Sequence, residues 1–392
     1  MKGSLLSTSS PIVPVTPAAD WNAMRAQMPV AERWAYFDHA AVAPLSGPAR
    51  DALVEWSHEA AREGDPIWRS WSGKVEQART LAAHLVGAKT EEIALIRNTT
   101  EGISLVAEGF PWQPGDNVVT LADEFPSNQY PWLNLASRGV EIRRVPTEGG
   151  RVDLDRLAAA CDRRTRIVTV SWVGYASGWR NDVDQLATLA HDHGALLFLD
   201  AIQGLGVFPL DVARTPVDFL AADGHKWLLS PEGAGIFFIR QEHLDRLRAI
   251  GVGWSSVAGS ADFTRIELVL KNSAARFEGG SKNMAGLIAM KASLELLARF
   301  GQEAIAQRVI DVTDLACQRL TALGAVVHTD REAGHKSGIV GFEIPGRDPE
   351  ILRQRCLEHQ VALSCRAGRL RISPHAYNNA ADIERLIEAL EK

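Results

Sequence analysis

The sequence predicts an α/β fold with a doubly wound, mainly parallel sheet and a smaller α+β domain after it. Short apolar runs rich in β-branched residues alternate with stretches of helical periodicity, which is the order that produces parallel sheets. Several runs are almost wholly apolar, as expected of strands that helices cover on both faces. After about Ala258 this alternation stops, so we expect a second domain there.

Seven strands are predicted before that change. They are EIALIR (Glu92 to Arg97), NVVTLA (Asn117 to Ala122), VEIRRV (Val140 to Val145), RIVTVSW (Arg166 to Trp172), ALLFLD (Ala195 to Asp200), VDFLAA (Val217 to Ala222) and GIFFIR (Gly235 to Arg240). Helical periodicity between them predicts helices at Thr99 to Glu108, Asn128 to Arg138, Leu154 to Ala160 and Val183 to His193.

The last third of the chain predicts a long helical stretch from Met284 to Leu323, then a few short strands. A final helix is indicated by Ile383, Leu386, Ile387 and Leu390, which follow an i, i+3, i+4, i+7 pattern. We therefore predict an N-terminal segment over residues 1–35 that packs with the small domain. A large α/β domain over 36–265 and a small α+β domain over 266–392 complete the prediction.

Composition and charge limit the classes of partner that the protein is expected to bind. Of the 392 residues, 46 % are apolar and 23 % charged, and the formal net charge is -6, so no basic surface is predicted for nucleic acid or an anionic membrane. A small-molecule partner is expected. Cys161, Cys317, Cys356 and Cys365 lack the spacing of a zinc site or a disulfide framework. With no signal peptide pattern and no membrane-length apolar run, these features predict a cytoplasmic protein.

Polar residues follow two of the predicted strands directly. Asp200 ends ALLFLD, Gln203 comes three residues later, and Lys226 follows VDFLAA within DGHKWLLS. Ligands of open parallel sheets bind beyond the carboxyl ends of the strands, so these side chains should emerge at one edge. Asp200 could simply cap the next segment, or it could face a protonated ring nitrogen. Lys226 could be an ordinary surface lysine, or it could form a Schiff base if burial lowers its pKa.

Two further stretches carry candidate binding residues. In RNTTEGISLVAEG, Asn98 and Thr99 precede a helix whose N-terminus could bind phosphate, although a well-capped helix is the simpler alternative. In GRLRISPHAYNN, Arg371 could be a strand arginine or the bidentate partner of a substrate carboxylate, and Arg366 and Arg369 are further candidates. Together, a phosphate site, a ring-nitrogen carboxylate, a Schiff-base lysine and a carboxylate clamp indicate a pyridoxal 5′-phosphate (PLP) enzyme that acts on amino acids.

The chain resembles the class V aminotransferase family of fold type I PLP enzymes, which contains cysteine desulfurases, selenocysteine lyases and isopenicillin N epimerases. The resemblance extends from YFDHAAVAPL (Tyr36 to Leu45) to the final helix and rests on NTTEGISLV, FLDAIQGLG, DGHKWLLSPEGAGIFF, FEGGSKN and LRISPHAYN. It implies a seven-stranded sheet in the large domain and a homodimer with its active sites at the subunit interface.

The resemblance also implies roles for single residues. Lys226 would form the Schiff base, Asp200 would pair with the pyridine nitrogen, and Gln203 would donate to the phenolic oxygen of the cofactor. Thr99, Thr100 and His225 would hold the phosphate, Ser281 would reach the phosphate in the other subunit, and Phe125 would stack on the ring. Arg371, with Arg366 as a second candidate, would bind the substrate carboxylate.

Four departures from the family pattern bear on the reaction. Phe125 stands where the desulfurases have a stacking histidine, which removes an acid/base group. Cys365 lies near the position of the desulfurase nucleophile, but the chain leaves little room for the loop that carries it, so a small strand residue is the favoured interpretation. Asp223 would repel a phosphate and is expected to point elsewhere, and Trp172 is expected to alter the substrate pocket.

The resemblance implies an enzyme that acts on an amino acid through an external aldimine and a Cα carbanion. Family analogy favours β-elimination, as in a C–S lyase or cysteine desulfurase. Transamination and isopenicillin N epimerase-like epimerisation are the alternatives. A PLP-binding protein without activity is the least favoured, because Lys226, Asp200 and Arg371 are all present.

Overall fold

A seven-stranded sheet forms the centre of the protein in the computed structural model, which describes residues 19–391. The strands of the protein are β1 (Ala35–Tyr36), β2 (Ile93–Ile96), β3 (Asn117–Leu121), β4 (Glu141–Val145), β5 (Thr165–Ser171), β6 (Leu196–Asp200), β7 (Phe219–Asp223), β8 (Gly235–Ile239), β9 (Val326–Val327), β10 (Val340–Glu343), β11 (Val361–Ala362), β12 (Ser364–Arg366) and β13 (Arg369–Ile372). The large sheet has the order β2-β8-β7-β6-β5-β3-β4, and β8 runs antiparallel to both of its neighbours while the other pairs are parallel. The predicted α/β fold with a mainly parallel seven-stranded sheet is confirmed.

The apolar runs form central strands because helices cover both faces of the sheet. Strands β2, β3, β7 and β8 are buried along their whole length. In the register of the sheet, Ser171 at the end of β5 lies beside Asp200 at the end of β6. The carboxyl ends of these neighbouring strands therefore form one edge, from which the loops with the predicted site residues emerge.

Eleven α-helices lie within residues 19–391. They are α1 (Trp21–Ala26), α2 (Gly47–Arg62), α3 (Trp68–Val86), α4 (Thr99–Gly109), α5 (Tyr130–Leu133), α6 (Leu154–Ala159), α7 (Val183–Asp192), α8 (Met284–Phe300), α9 (Gln302–Ala322), α10 (Pro349–Glu358) and α11 (Ala380–Glu391). Helix α4 begins directly after β2, and the Asn98 side chain caps it by accepting from the Glu101 amide at 2.9 Å. This cap fixes the helix N-terminus at the edge of the sheet.

Two of the predicted helices are wrong, because each is interrupted in the structure. The predicted helix from Asn128 to Arg138 is divided into α5 and two flanking 3₁₀ turns, and Gln129, between the first turn and α5, has a non-helical φ of -120°. The predicted stretch from Met284 to Leu323 is two helices, because Gly301 adopts a positive φ of 78° between α8 and α9.

A separate hydrophobic core lies around the smaller sheet, whose order is β12-β13-β10-β9. Ala35 and Phe37 from the N-terminal part of the chain belong to this core, together with Leu386 and Leu390 of α11. Strand β1 also pairs with β11 in parallel. The division of the chain into domains at residues 35 and 265 stays a prediction, and residues 1–18 of the predicted N-terminal segment lie outside the described residues.

Between residues 19 and 391, none of the helices combines the length and the apolar character needed to cross a membrane.

Candidate active site

A cavity of about 250 Å³ opens at the carboxyl edge of the large sheet and contains most of the predicted site residues. Its lining includes Thr99, Thr100, Phe125, Asp200, Gln203, His225, Lys226, Arg366 and Arg371. Strands β6 and β7 supply the acidic residue and the lysine loop, α4 supplies the threonines, and the hairpin β12–β13 supplies the arginines. Of the predicted site residues, Ser281 and the further candidate Arg369 do not line this cavity.

Lys226 lies in the turn after β7 and is 8 % exposed. Burial lowers the pKa of Lys226 to about 8, and the Asp200 carboxyl opposes this shift while the Arg371 guanidinium adds to it. Its Nζ atom lies 5.6 Å from the centre of the Phe125 ring. A large fraction of this amine is therefore neutral near pH 8, the form that attacks a carbonyl carbon.

Asp200 is the last residue of β6 and is 2 % exposed. Its Oδ1 atom accepts from the Ile202 amide at 3.1 Å. Burial raises the pKa of Asp200 to about 6, although the hydrogen bond from Ile202 and the charge of Lys226 act in the opposite direction. A buried carboxylate with so little compensation is stabilised by a cationic group placed beside it.

The Gln203 side chain is held between two parts of the protein. Its Nε2 atom donates to the Ala40 carbonyl oxygen at 3.0 Å, and its Oε1 atom accepts from Trp227 Nε1 at 2.9 Å. A primary amide has two N–H groups, so one remains for a ligand in the cavity.

The N-terminus of α4 forms the end of the cavity predicted to bind phosphate. Thr99 Oγ1 accepts from the Asp223 amide at 3.0 Å, and Thr100 Oγ1 donates to Ser127 Oγ at 2.9 Å. The first amides of a helix lack partners within the helix, and the helix dipole favours an anion there. This end of the cavity therefore has donors suited to a phosphate.

The expectation that Asp223 points away from the cavity is wrong. Asp223 lines the cavity, and its Oδ2 atom lies 2.9 Å from His225 Nδ1, without the alignment of a hydrogen bond. Its Oδ1 atom is buried and has no partner among residues 19–391. Asp223 is the last residue of β7, and the end of that strand lies at the carboxyl edge of the sheet from which Lys226 also emerges.

Arg371 is 2 % exposed and is positioned by two residues that the sequence did not single out. Its Nη1 atom donates to the Tyr175 carbonyl oxygen at 2.7 Å, and its Nη2 atom donates to Asp38 Oδ1 at 3.2 Å. The Nε atom is buried without a partner among the described residues, and burial lowers the pKa of the guanidinium. The only sequence signal for Asp38 is its place in YFDHAAVAPL.

Phe125 and Ser281 lie on different sides of the site. The Phe125 ring packs edge-on against Tyr175, with 5.2 Å between the ring centres, and is 41 % exposed. Ser281 is exposed and lines a separate open cavity on the other side of the N-terminus of α4, which we call the Ser281 cavity and which also contains Thr100. Phe125 therefore belongs to the lysine cavity. Ser281 lies in a different cavity, and the two cavities share Thr100 at the N-terminus of α4.

The expectation that Trp172 alters the substrate pocket is wrong. Trp172 is 4 % exposed, packs against Phe208 with 6.2 Å between ring centres, and does not line the lysine cavity. Its indole lies over Gly204, where an added Cβ would come within 2.5 Å of the ring. The side chain is therefore part of the core below the site.

Cys365 also lies outside the lysine cavity. Its Sγ atom is 3.4 Å from the Pro349 carbonyl oxygen, and the residue packs against the small core. Burial raises the pKa of the Cys365 thiol to about 11. Its neighbours Ser364 and Arg366 face the opposite side of β12, as strand alternation requires.

Sequence reasoning also missed Glu124, which is 8 % exposed beside the site. It accepts from the Ser171 amide at 2.6 Å and from the Ser171 hydroxyl. Burial raises the pKa of Glu124 to about 7, and the nearby Asp200 carboxyl contributes to the same shift. Its place before Phe125 in EFPSN was the available signal.

These residues fit a bound PLP molecule. The buried amine of Lys226 and the buried carboxyl of Asp200 lie in one cavity with a helix N-terminus and an exposed aromatic face. Arg371 Nε, a buried donor without a partner among residues 19–391, adds a site for a substrate carboxylate. Each group matches one part of the cofactor or of an amino acid.

Comparisons with known proteins agree with this arrangement. The family model for aminotransferase class-V matches residues 35–386. A probable cysteine desulfurase of Methanothermobacter thermautotrophicus is 32 % identical over 393 residues, which cover 94 % of this chain and 97 % of that protein. The apo structure of a cysteine desulfurase from Thermococcus onnurineus NA1 has a TM-score of 0.85 at 26 % identity and covers 98 % of both chains.

The cystine C–S lyase C-DES, solved with its reaction product cysteine persulfide, has a TM-score of 0.87 at 22 % identity and covers 93 % of this chain and 99 % of its own. At that identity it supports the fold alone. The predictions of an enzyme and of PLP as cofactor are confirmed. The chain belongs to the class V aminotransferase family of PLP-dependent enzymes.

Proposed function

We propose that this protein is a PLP-dependent C–S lyase that removes the sulfur substituent from L-cysteine or an S-substituted L-cysteine. The reaction takes up one water molecule and yields a thiol (hydrogen sulfide from cysteine), pyruvate and ammonium. The Cβ–S bond breaks with its electron pair leaving on sulfur, and the α-proton is lost. Relatives named as cysteine desulfurases support cysteine chemistry.

The orientation of Cys365 is the observation that favours release of a free thiol over transfer of the substrate sulfur to a cysteine of the protein. A desulfurase-type transfer needs a reactive thiolate beside the substrate sulfur, and thiolate reactivity requires a low pKa and access. Cys365 faces the small core with its pKa raised to about 11, and none of the four cysteines lines the lysine cavity. We therefore propose that the sulfur leaves to solvent.

Several residues of the cavity would hold the cofactor. Lys226 would bind its aldehyde carbon, Asp200 its ring nitrogen and Gln203 its phenolic oxygen. Thr99, Thr100 and His225 would contact the phosphate, and the Phe125 ring would cover the pyridine face. When bound, PLP supplies an electron sink that stabilises negative charge at the substrate Cα.

The residues of the chain would then orient the substrate and move its proton. Arg371 would bind the α-carboxylate through Nε and the N–H groups that Nη1 and Nη2 do not use for Tyr175 and Asp38. Lys226 Nζ, with its lowered pKa, would accept the proton from Cα. The Phe125 ring, 5.6 Å from Nζ, would limit the access of water to this amine.

We also propose a cytoplasmic homodimer in which Ser281 contacts the phosphate bound by the partner subunit. Ser281 is exposed and lines an open cavity beside the N-terminus of α4. Exposed apolar side chains at Phe263, Ile266 and Leu268 offer surface that a second subunit would bury. The molar mass in solution, measured by light scattering, tests this arrangement; a monomeric holoenzyme would contradict it.

The test of the reaction is to supply purified holoenzyme with L-cysteine and S-methyl-L-cysteine and measure pyruvate, ammonia and thiol. We expect all three in equal amounts without an added keto acid, and none from Lys226→Ala. Turnover that depends on an added keto acid would instead indicate a transaminase. Deuterium uptake at Cα without net conversion would indicate an epimerase, and either result would overturn the proposal.

A further inference from the structure

A second cavity, of about 220 Å³, lies beside the lysine cavity. The two cavities share Tyr175, Arg366 and Arg371 in their linings, and the edge-on pair of Phe125 and Tyr175 stands at their boundary. A substrate whose α-carboxylate binds Arg371 would therefore have its Cβ substituent next to an opening into the second cavity.

The hairpin β12–β13 places three arginines along the second cavity. Arg366 and Arg369 are directly opposite each other in the antiparallel register, and Ala367 and Gly368 between them adopt positive φ values of 50° and 74°. These values fit a two-residue hairpin turn. Opposite residues of an antiparallel pair face the same side, and Arg371 lies two residues after Arg369, so all three guanidinium groups share one face.

This arrangement leaves positive charge without a partner. The Asp38 carboxylate pairs with Arg371, but among residues 19–391 no carboxylate lies within ion-pair distance of Arg366 or Arg369. Within the described part of the chain, the Arg366 guanidinium donates only to the carbonyl oxygen of its neighbour Cys365, at 2.7 Å. Both arginines are exposed, so water screens part of their mutual repulsion, and an anionic ligand between them would offset the remainder.

The acidic side chains of the second cavity are engaged elsewhere. Asp123 accepts from the Thr147 hydroxyl at 2.7 Å. Both oxygens of Glu124 accept hydrogen bonds from Ser171. Neither carboxyl neutralises Arg366 or Arg369, so the hairpin side of the cavity remains cationic.

The volume of the second cavity limits the size of the sulfur substituent that could bind there. One water molecule needs roughly 10–15 Å³ of this kind of volume, so about 220 Å³ has room for several heavy atoms. The sulfhydryl of cysteine is a single heavy atom. The available space therefore suits an S-substituent of several heavy atoms.

From these observations we propose that Arg366 and Arg369 form an anion subsite for the sulfur substituent, and that the substrate is an S-conjugate of L-cysteine with an acidic group at its distal end. This inference rests on the proposed C–S lyase function. The same elimination applies: the thiol released carries the acidic group, and pyruvate and ammonium are the other products.

The test compares S-carboxymethyl-L-cysteine with S-carbamoylmethyl-L-cysteine, which has the same size but no charge. Hydrogen bonds to charged groups predict a preference of about tenfold or more for the acidic conjugate in kcat/KM. The same preference is expected in the dissociation constants measured by calorimetry with Lys226→Ala, which does not turn over. Arg369→Gln should bring both ratios close to one, and Arg369→Lys should retain part of the preference.

Arg299→Gln is the matched control, since Arg299 is an exposed arginine in the last turn of α8. It should keep the full preference. Equal kcat/KM and equal dissociation constants for the two conjugates in the wild type, or a preference that survives Arg369→Gln, would overturn the inference while pyruvate release from L-cysteine stands. A binding preference that Arg369→Gln removes, without pyruvate from any cysteine derivative, would support the subsite and contradict the lyase function instead.

Discussion

Replacing Asp200 by asparagine should stabilise the cofactor-free protein near neutral pH and remove most of its activity. The Asp200 carboxyl is 2 % exposed and accepts one backbone hydrogen bond, from Ile202. An ionised carboxylate in such a place is unfavourable until a cationic group is bound beside it. An amide of the same shape avoids that cost, but it does not supply a negative charge to a ring nitrogen.

The pKa of Asp200 sets the size and the sign of the effect. Burial raises this pKa from 3.8 to about 6, which corresponds to about 3 kcal/mol of unfolding free energy. A raised carboxyl pKa means that the folded protein binds the proton more tightly than the unfolded chain does. The contribution is therefore favourable below about pH 4 and is lost as the pH rises through 6. The substitution also removes the carboxylate that favours the charged form of Lys226, so we expect Asp200→Asn to stabilise by about 1–3 kcal/mol at pH 7.5.

The measurement is urea unfolding of the cofactor-free wild type and variant at pH 4 and pH 7.5. The two proteins should have similar stability at pH 4 and differ at pH 7.5, with the variant more stable. Adding PLP should stabilise the wild type more than the variant. Activity should fall by about 10²-fold or more, the scale of losing a charged group that acts in the transition state.

Asp218→Asn is the matched control, because Asp218 is equally buried but well compensated. Burial acts to raise the pKa of Asp218, but hydrogen bonds from His243 and His191, both at 2.8 Å, lower it overall. This substitution should therefore destabilise the protein at pH 7.5, by about 1–3 kcal/mol for the lost bonds to a charged group. If Asp200→Asn destabilised the cofactor-free protein at pH 7.5 as Asp218→Asn does, our reasoning about Asp200 would be wrong.

Three further predictions concern Lys226, Cys365 and Trp172. The rate at which cofactor-free protein binds PLP should rise with pH and reach half its maximum near pH 8, because only the neutral Lys226 amine reacts. Stopped-flow absorbance measures this rate, and a rate that does not depend on pH would contradict the lowered pKa of Lys226. Cys365→Ser should keep pyruvate and thiol release within about twofold, since Cys365 faces the small core; loss of activity, or a persulfide on Cys365 in mass spectra of the wild type, would contradict sulfur release to solvent. Trp172→Ala should lower the unfolding free energy by about 3–5 kcal/mol with little change in KM for cysteine, and a changed KM with unchanged stability would place Trp172 in the pocket.

The strands of the large sheet could be predicted because a strand that is buried on both faces appears in the sequence as a short, almost wholly apolar run. Each of the seven predicted strands matches an observed strand to within two residues at either end, as ALLFLD does with β6. The helix predicted from Asn128 to Arg138 was less secure, because apolar periodicity does not distinguish an α-helix from short 3₁₀ turns. Similarly, Gly301 was compatible with a continuous helix until its positive φ was known.

Within the candidate site, the sequence indicated the chemical groups better than their directions. Lys226 and Asp200 were identifiable because each follows an apolar run and both therefore emerge at one sheet edge. The partners of Arg371 were not identifiable, since Tyr175 and Asp38 are 196 and 333 residues away along the chain. Only the packing of β13 against these distant segments brings the groups together.

The sequence by itself determined the family, the order of the strands along the chain and the set of reactive side chains, because local patterns and short motifs carry that information. The tertiary structure decided that Cys365 faces the small core while Arg366 and Arg369 face a cavity. It also turned Asp223 into the site and Trp172 out of it. The physical reason is that a side chain's surroundings depend on strand register and on contacts between distant segments, and neither is set by the residues adjacent to it in the chain.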